Sequence, residues 1–454
     1  MIGKKKRIHF IGIGGSGMNP LANIMLEMGY EISGSDMKEN VYTLKLKEAG
    51  AQIFYGHSES NIRTTDIVVL SSAIKSDNVE YQAALSNGLK VIKRAELLSF
   101  IMDKHENRIA VAGTHGKTTT TGMIANFLSE IEDPTYIIGA TLKHLKKAAH
   151  KGESRYIVVE ADESDRSLLF LNPNIIVITN IEAEHMDEYK DENDIVETFN
   201  KFIHKLPEDK NLLIACGDDK NIQKLTKTGI KVITYGFNEN NLIWATNIKL
   251  ENGFLFFDVI IDNIKVADRI KLNVPGKHNI LNSLAVFALA NHLGRGYSAV
   301  IKSLSIFEGA SRRFHLVGSI DEVVVYDDYA HHPTEIRCTL EAAKTFGKRI
   351  VVVFQPHRFS RFSAFFDDFA NALKLAEVIV VTDVFAAGET NYSGLTSQDL
   401  VDKIKDRTVL YVKSVGEIAS KTLPLIKKGD LVITLGAGDI THVSKEIFQK
   451  LKAK

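Results

Sequence analysis

Cysteine is scarce in this sequence: among 454 residues only Cys216 and Cys338 carry a thiol. Two thiols so far apart exclude a disulfide framework and a cysteine-based zinc site, and they fit a reducing compartment. Net charge is missing as well, with 56 basic residues against 56 acidic ones. No global field draws the chain to nucleic acid or to an anionic membrane, so any anionic ligand has to be held by local donors. No run of about 20 apolar residues occurs, and no spanning helix is expected. The start, MIGKKKRIHFIGIGG, has the basic-then-apolar order of a secretion signal. His9 and Gly12 interrupt its apolar run, however, and no small-residue cleavage site follows. A soluble, cytoplasmic protein is expected. Repeats, low-complexity tracts and long charge blocks are lacking too.

What is present is an ordinary globular composition, 44% hydrophobic and 25% charged. The length suggests about three domains. Short β-branched runs alternate with amphipathic helical stretches: Arg7–Ile13, Ile67–Leu70, Ile109–Ala112, Tyr156–Glu160, Ile175–Thr179, Arg349–Phe354, Val378–Thr382 and Leu431–Leu435. Continuous apolar runs of this kind read as buried parallel strands of α/β sheets. Breaks near Asp103–Asn107 and Phe307–Ala310 divide the chain into domains of residues 1–104, 105–308 and 309–454. The Ile-, Val- and Phe-rich region from Ile230 to Leu272 is expected to add antiparallel strands to the middle domain.

Two glycine loops carry the chemistry. In HFIGIGGSGM, Gly12, Gly14 and Gly17 satisfy G-x-G-x-x-G after a strand, with Gly15 between them and a helix, Pro20–Met28, following. Such a turn lets backbone approach a diphosphate, and the helix N-terminus offers amides to the charge. Ser35-Asp36 lies about 20 residues on, where a ribose-binding carboxylate is expected. Alone, this loop reads either as a ligand-free turn or as the signature of an NAD-dependent oxidoreductase. The second loop changes that. In IAVAGTHGKTTTT a strand runs into Gly113-Thr114-His115-Gly116, then Lys117, Thr118 and Thr119 open a helix. A lysine behind a glycine turn reaches the outer phosphates of a nucleoside triphosphate, and the adjacent hydroxyl can coordinate the bridging Mg²⁺. Val111 replaces the first glycine of the full P-loop, so the loop is a shortened variant.

Carboxylates follow at the ends of the next two strands: Glu160 with Asp162, Glu163 and Asp165, then Glu182 and Glu184 beside His185. Acids at the carboxyl end of a buried strand are costly unless they bind cations or face water. Read from residue type alone, His185 is equally well a helix-start surface residue. Two nucleotide loops of different type exceed what a dehydrogenase needs. They fit a kinase or ligase whose second substrate carries its own nucleotide.

Taken with SGSD, VEADESD, TNIEAEHMDEY, VPGKHNILNSLAV, EGASRRF, YDDYAHHPTEI, QPHRFSR, DVFAAGE and LGAGDI, these segments resemble the Mur ligase family over nearly the whole chain. The resemblance implies three α/β domains: an N-terminal Rossmann-like UDP-binding domain, a central P-loop ATPase-like domain and a C-terminal Rossmann-like domain. It implies ATP-dependent joining of L-alanine to the lactyl carboxylate of UDP-N-acetylmuramate through an acyl phosphate. The recycling ligase that attaches a preformed murein tripeptide is the rival within the family. ATP and Mg²⁺ are the implied cofactors, and the two substrates the implied partners. A homodimer is left open.

Carried over residue by residue, Lys117, Glu160, His185, Arg313 and Asp328 are the catalytic candidates. Thr118, Glu160 and His185 are those for metal. The residues 113–119 loop, Asn279, Arg313 and Asp328 are the ATP candidates. Gly12, Gly14, Gly15, Gly17, Ser35, Asp36 and Ser71 are assigned to the UDP substrate. His331, His332, Arg358 and Arg361 are assigned to the acceptor, where guanidinium groups suit a carboxylate. Helix capping before Pro333 is the competing reading of the two histidines. The chain departs from the family pattern in the basic stretch TLKHLKKAAHKGES after Gly139, in Arg166 where glycine is usual, and in Asn19-Pro20. No carbamylated lysine is assigned.

Overall fold

The computed structural model describes residues 6–142, 145, 147–185, 188–251 and 254–453. Part of the basic stretch after Gly139, together with Met186 and Asp187, lies outside the described residues. The architecture is three-domain α/β. By contact the chain forms two compact units: Met1–Glu182 with Asn193–Ile243 and Ala285–Ser303, and Ala183–Glu192 with Trp244–Leu284 and Leu304–Lys454.

The first unit contains two sheets. Strands β1 (Arg7–Ile11), β2 (Glu31–Asp36), β3 (Gln52–Tyr55), β4 (Ile67–Leu70) and β5 (Lys90–Lys93) lie in the order β3-β2-β1-β4-β5, all parallel. That order opens a crevice at the carboxyl ends of β1 and β4, where the chain reverses direction across the sheet. β1 stops two residues short of the predicted Ile13 because Gly12 turns to φ +82°.

The second sheet contributes β6 (Asn107–Ala112), β7 (Thr135–Ile137), β8 (Ala149–His150), β9 (Tyr156–Glu160), β10 (Ile175–Ile178), β11 (Leu212–Cys216) and β12 (Val232–Gly236). Within the unit they run β12-β11-β10-β6-β9-β7-β8. Only β8 is antiparallel to its neighbour. β12 corrects one expectation: it lies in the stretch read as antiparallel, yet it pairs parallel with β11. Both glycine loops thus leave the carboxyl ends of parallel strands whose last four residues are buried.

In the second unit, β13 (Ile243–Glu251) precedes β14 (Phe254–Ile261) and β15 (Ile264–Leu272). β14 and β15 are antiparallel, as expected, and joined by Asp262-Asn263. Both of those residues have positive φ, 49° and 62°, as a two-residue type I′ turn requires. Strands β16 (His315–Ile320), β17 (Val323–Asp328), β18 (Ile350–Phe354), β19 (Val378–Val381), β20 (Thr408–Tyr411) and β21 (Leu431–Leu435) form a sheet in the order β16-β17-β21-β18-β19-β20. Only β16 is antiparallel. Its strands are apolar on both faces: Val352 and Ile433 pack on one side, Val351, Val353 and Val432 on the other. Among the described residues no helix is long and apolar enough to cross a membrane.

Candidate active site

The second glycine turn is built by β6, β10 and the helix Lys117–Ser129. Gly113 has φ +133°, and a Cβ there would overlap the Thr179 hydroxyl. Only glycine lets the turn lie against β10. Thr179 Oγ1 and Asn180 Nδ2 donate to His115 O at 2.6 and 2.9 Å, and Asn180 Oδ1 accepts from His115 N at 2.9 Å. The Thr114 hydroxyl accepts from Glu182 N at 2.9 Å. Gly116, at φ +85°, is the N-cap, and the first intrahelical bond runs from Thr120 N to Gly116 O. The amides of Thr118 and Thr119 therefore have no intrahelical acceptor, and the positive helix end faces the turn.

Lys117 folds back across this turn. Its Nζ donates to Gly113 O at 2.6 Å, Thr114 O at 3.0 Å and Glu163 Oε1 at 2.9 Å, with Glu163 Oε2 at 2.8 Å. Glu163 is 2% exposed. A buried carboxylate thus holds the ammonium against the turn. Glu160 ends β9 in register with Val111, two residues before Gly113, and its Oε2 accepts from Gly139 N at 2.6 Å. Asp162 lies between two cations. Burial raises its carboxyl, but Lys117 and Arg94 pull it below the ordinary range. The Arg94 guanidinium is 3.7 Å from Asp162 and 3.4 Å from Ser167 Oγ. Arg166, left-handed at φ 55°, fixes the end of this acidic segment by a two-pronged pair with Asp194 at 3.1 and 2.7 Å.

The first glycine turn is arranged differently. Gly12 N and Ile13 N donate to Ser35 O at 2.9 and 3.0 Å, and Gly14 N to Asp36 Oδ2 at 2.9 Å. Ser71 follows β4 and packs against Gly12. Ser35 itself is fully buried, and its hydroxyl donates to Glu80. Glu80, also fully buried, gathers the His57 ring at 3.2 Å, Ser58 N at 3.2 Å, the Asn61 amide, and His9 Nε2 at 3.6 Å. Burial pushes this carboxyl up, but hydrogen bonds from His9, Ser35 and Asn61 outweigh it and hold it down at about 2.

In the second unit, Asp328 ends β17 and accepts Phe314 N at 2.6 Å and Ala330 N at 2.7 Å. Burial raises it to about 6 against the pull of Arg313. Arg313 Nη1 donates to Glu335 at 3.2 Å. His332 is the N-cap of the helix Pro333–Lys344, its Nδ1 accepting Thr334 N at 3.3 Å, with Glu335 completing the capping box. His331 Nδ1 donates to Tyr329 O at 2.9 Å. The two neutral rings are therefore opposite tautomers: Nε2 of His331 keeps a lone pair, whereas Nε2 of His332 carries a proton. Burial lowers the His331 pKa and favours the neutral ring. Arg361, 8% exposed, donates to Glu184 Oε1 at 3.0 Å, and Glu184 is 3.9 Å from His185. His185, Arg358 and Arg361, with Ser360, Ser363, Ala364 and Phe365, line a pocket of about 260 Å³. Asn279 turns inward, donating to Pro275 O at 2.6 Å and accepting from Asn282 at 3.0 Å.

Sequence reasoning overlooked the counter-ions, Glu163 for Lys117, Glu335 for Arg313 and Glu184 for Arg361, and the hydrogen-bond acceptor of Ser35, Glu80. Glu335 had a local signal, the cap-x-x-Glu spacing from His332. Glu163 and Glu184 stood in noted acidic clusters without an assigned partner. Glu80 had none.

Family models cover the chain in three stretches. Residues 7–106 match the Mur ligase family catalytic domain, 111–290 the Mur ligase middle domain and 312–438 the Mur ligase glutamate ligase domain. The chain is 43% identical over 453 residues to the UDP-N-acetylmuramate–L-alanine ligase of Dictyoglomus turgidum, covering 98% of this chain and 97% of that one. The crystal structure of the UDP-N-acetylmuramate–alanine ligase of Thermotoga maritima superposes with a TM-score of 0.83 at 29% identity, covering 99% of each chain. A murein peptide ligase of Psychrobacter arcticus shares the fold, with a TM-score of 0.73 at 23% identity over 98% of each chain.

Proposed function

The chain belongs to the Mur ligase family, and from there we propose that it joins L-alanine to the lactyl carboxylate of UDP-N-acetylmuramate, consuming one ATP, in cytoplasmic synthesis of peptidoglycan precursors. One observation carries the reading: Lys117 lies across a helix-opening glycine turn, held there by a buried glutamate. That arrangement suits a triphosphate, with amides of the helix end for the phosphate oxygens and a cation for the transferring group. Domains of residues 1–104, 105–308 and 309–454 divide the labour between UDP substrate, ATP and acceptor.

An amine does not displace hydroxide from a carboxylate at neutral pH, so the lactyl carboxylate first takes the γ-phosphoryl group of ATP. The neutral amine of L-alanine attacks the resulting acyl phosphate, the C–N bond forms and inorganic phosphate leaves. Thr118 and Glu160 are oxygen donors of the kind Mg²⁺ prefers, and His185 is the third candidate ligand. Mg²⁺ supplies charge neutralisation on the phosphates when bound. Lys117 balances charge on the transferring oxygens. Asn279, Arg313 and Asp328 of the second unit are the further nucleotide candidates that the resemblance supplies. Arg358 and Arg361 face the amino-acid carboxylate. His331, whose Nε2 keeps a lone pair, accepts the proton the attacking amine gives up, whereas His332 holds its helix start.

Phosphate release from ATP, measured with UDP-N-acetylmuramate and L-alanine, L-serine, glycine or the murein tripeptide in turn, tests this. L-alanine is expected to give the highest kcat/KM. Preference for the tripeptide would replace the reading with the recycling reaction, and an absence of ATP turnover would end it.

A further inference from the structure

The first glycine turn has few donors left for a diphosphate. Gly12, Ile13, Gly14, Gly15 and Met18 all spend their backbone N–H on acceptors inside the protein. One of those acceptors is the Asp36 carboxylate, which adds negative charge to the loop. A dianionic diphosphate at such a turn needs a cation. Gly17, the last glycine of the pattern, faces one: a Cβ built on it would lie 3.2 Å from Cδ, 3.5 Å from Nε and 3.6 Å from Nη1 of Arg94. Arg94 opens the helix Arg94–Met102, directly after β5. Its side chain is 21% exposed, and its partners are loose, Asp162 at 3.7 Å and Ser167 Oγ at 3.4 Å. A guanidinium has five donors in a fork that fits phosphate oxygens, and long contacts such as these leave that capacity largely unused.

We propose that Arg94 binds the diphosphate of the UDP-linked substrate at the Gly12–Gly17 turn, exchanging Asp162 for the ligand. The inference rests on the ligase reading above. It also gives the third glycine a task, since a side chain at position 17 would crowd Arg94 at 3.2 Å and make it give way by a few tenths of an ångström. Asp162 holds the arginine near its working position when no substrate is bound.

Calorimetric titration of the full chain with UDP-N-acetylmuramate tests this, with uridine as a competitor lacking phosphate. Arg94→Ala is expected to weaken UDP-N-acetylmuramate by about 10- to 100-fold, the range of a hydrogen bond to a charged group. Arg94→Lys is expected to recover part of that loss, and uridine to bind both variants as it binds the wild type. Asp162→Asn removes the resting partner and is expected to tighten UDP-N-acetylmuramate by up to about 5-fold, the scale of a partly exposed ion pair. Unchanged affinity in Arg94→Ala, a parallel loss of uridine binding, or weaker binding in Asp162→Asn would each overturn the assignment. A wild-type chain that binds no UDP-N-acetylmuramate would overturn the ligase reading with it.

Discussion

The two glycine turns of the first unit solve the same problem in opposite ways. Each leaves a buried parallel strand and opens a helix, yet they differ in where donors and charge are kept. At Gly113–Lys117 the backbone is clamped from outside by Thr179 and Asn180, so the helix end is left for a ligand. At Gly12–Gly17 the amides are consumed internally, by Ser35 O and Asp36, and the turn is braced from behind through Ser35 to the fully buried Glu80. One turn is a cradle with its own lysine. The other is a rigid floor that borrows an arginine. Both cations are held by one acidic segment, Lys117 by Glu163 and Arg94 by Asp162.

Four substitutions break or sharpen that contrast, beginning with the largest effect. Lys117→Ala disables one turn and spares the other: ATP-dependent phosphate release is expected to fall by at least about 10³-fold. UDP-N-acetylmuramate affinity, read by calorimetry, is expected to stay within about 2-fold of the wild type. Normal turnover would remove Lys117 from the reaction.

Glu80→Gln attacks the bracing behind the first turn. Because the folded state lowers this carboxyl from 4.5 to about 2, its ionised form stabilises the fold above pH 4.5, and that stability is lost as pH falls towards 2. The stabilisation is about 3 kcal/mol at neutral pH. Urea unfolding should show the variant weaker by that order at pH 7, and the difference closing below pH 4. A variant as stable as the wild type at pH 7 would mean that the network carries no net stability.

Glu163→Gln tests whether the lysine needs its buried anchor. Lys117 would keep the two carbonyl acceptors but lose its hydrogen-bonded, buried carboxylate, and kcat is expected to drop by about 10-fold. Steady-state assays at saturating substrates read this directly, and an unchanged kcat would show that the carbonyls suffice. The smallest effect concerns the brace of the acidic segment itself. Arg166→Gly relieves a left-handed residue but removes the pair with Asp194, and the two terms are expected to cancel to within about 1 kcal/mol in thermal unfolding. A larger loss would make Asp194 the main support of the segment.

Much of the fold was readable because buried parallel strands are continuous apolar runs. Ile67–Leu70, Tyr156–Glu160 and Leu431–Leu435 fall where the sequence puts them. Strand direction was not readable: nothing in Val232–Gly236 tells whether it runs parallel or antiparallel to β11, because neighbour identity is set by tertiary pairing. The glycine turns and Lys117 were legible since their chemistry is local, a turn, a helix start and a side chain within a few residues. Their carboxylate partners come from farther off, 46 residues away for Lys117 and 45 for Ser35. A single glutamate inside the helix Val79–Ser86 looks, in sequence, like any surface charge.

Gly113 and Gly139 share a property that motif reading found for only one of them. A methyl group at either would occupy the space of an oxygen atom, the Thr179 hydroxyl at the first and the Glu160 carboxylate at the second. Randomising both codons and selecting for growth would therefore return glycine at position 113, where the backbone is also at φ +133° and meets Asn180 backbone, whereas at position 139 a small side chain is accepted if the end of Glu160 swings aside and gives up its bond to the residue 139 amide.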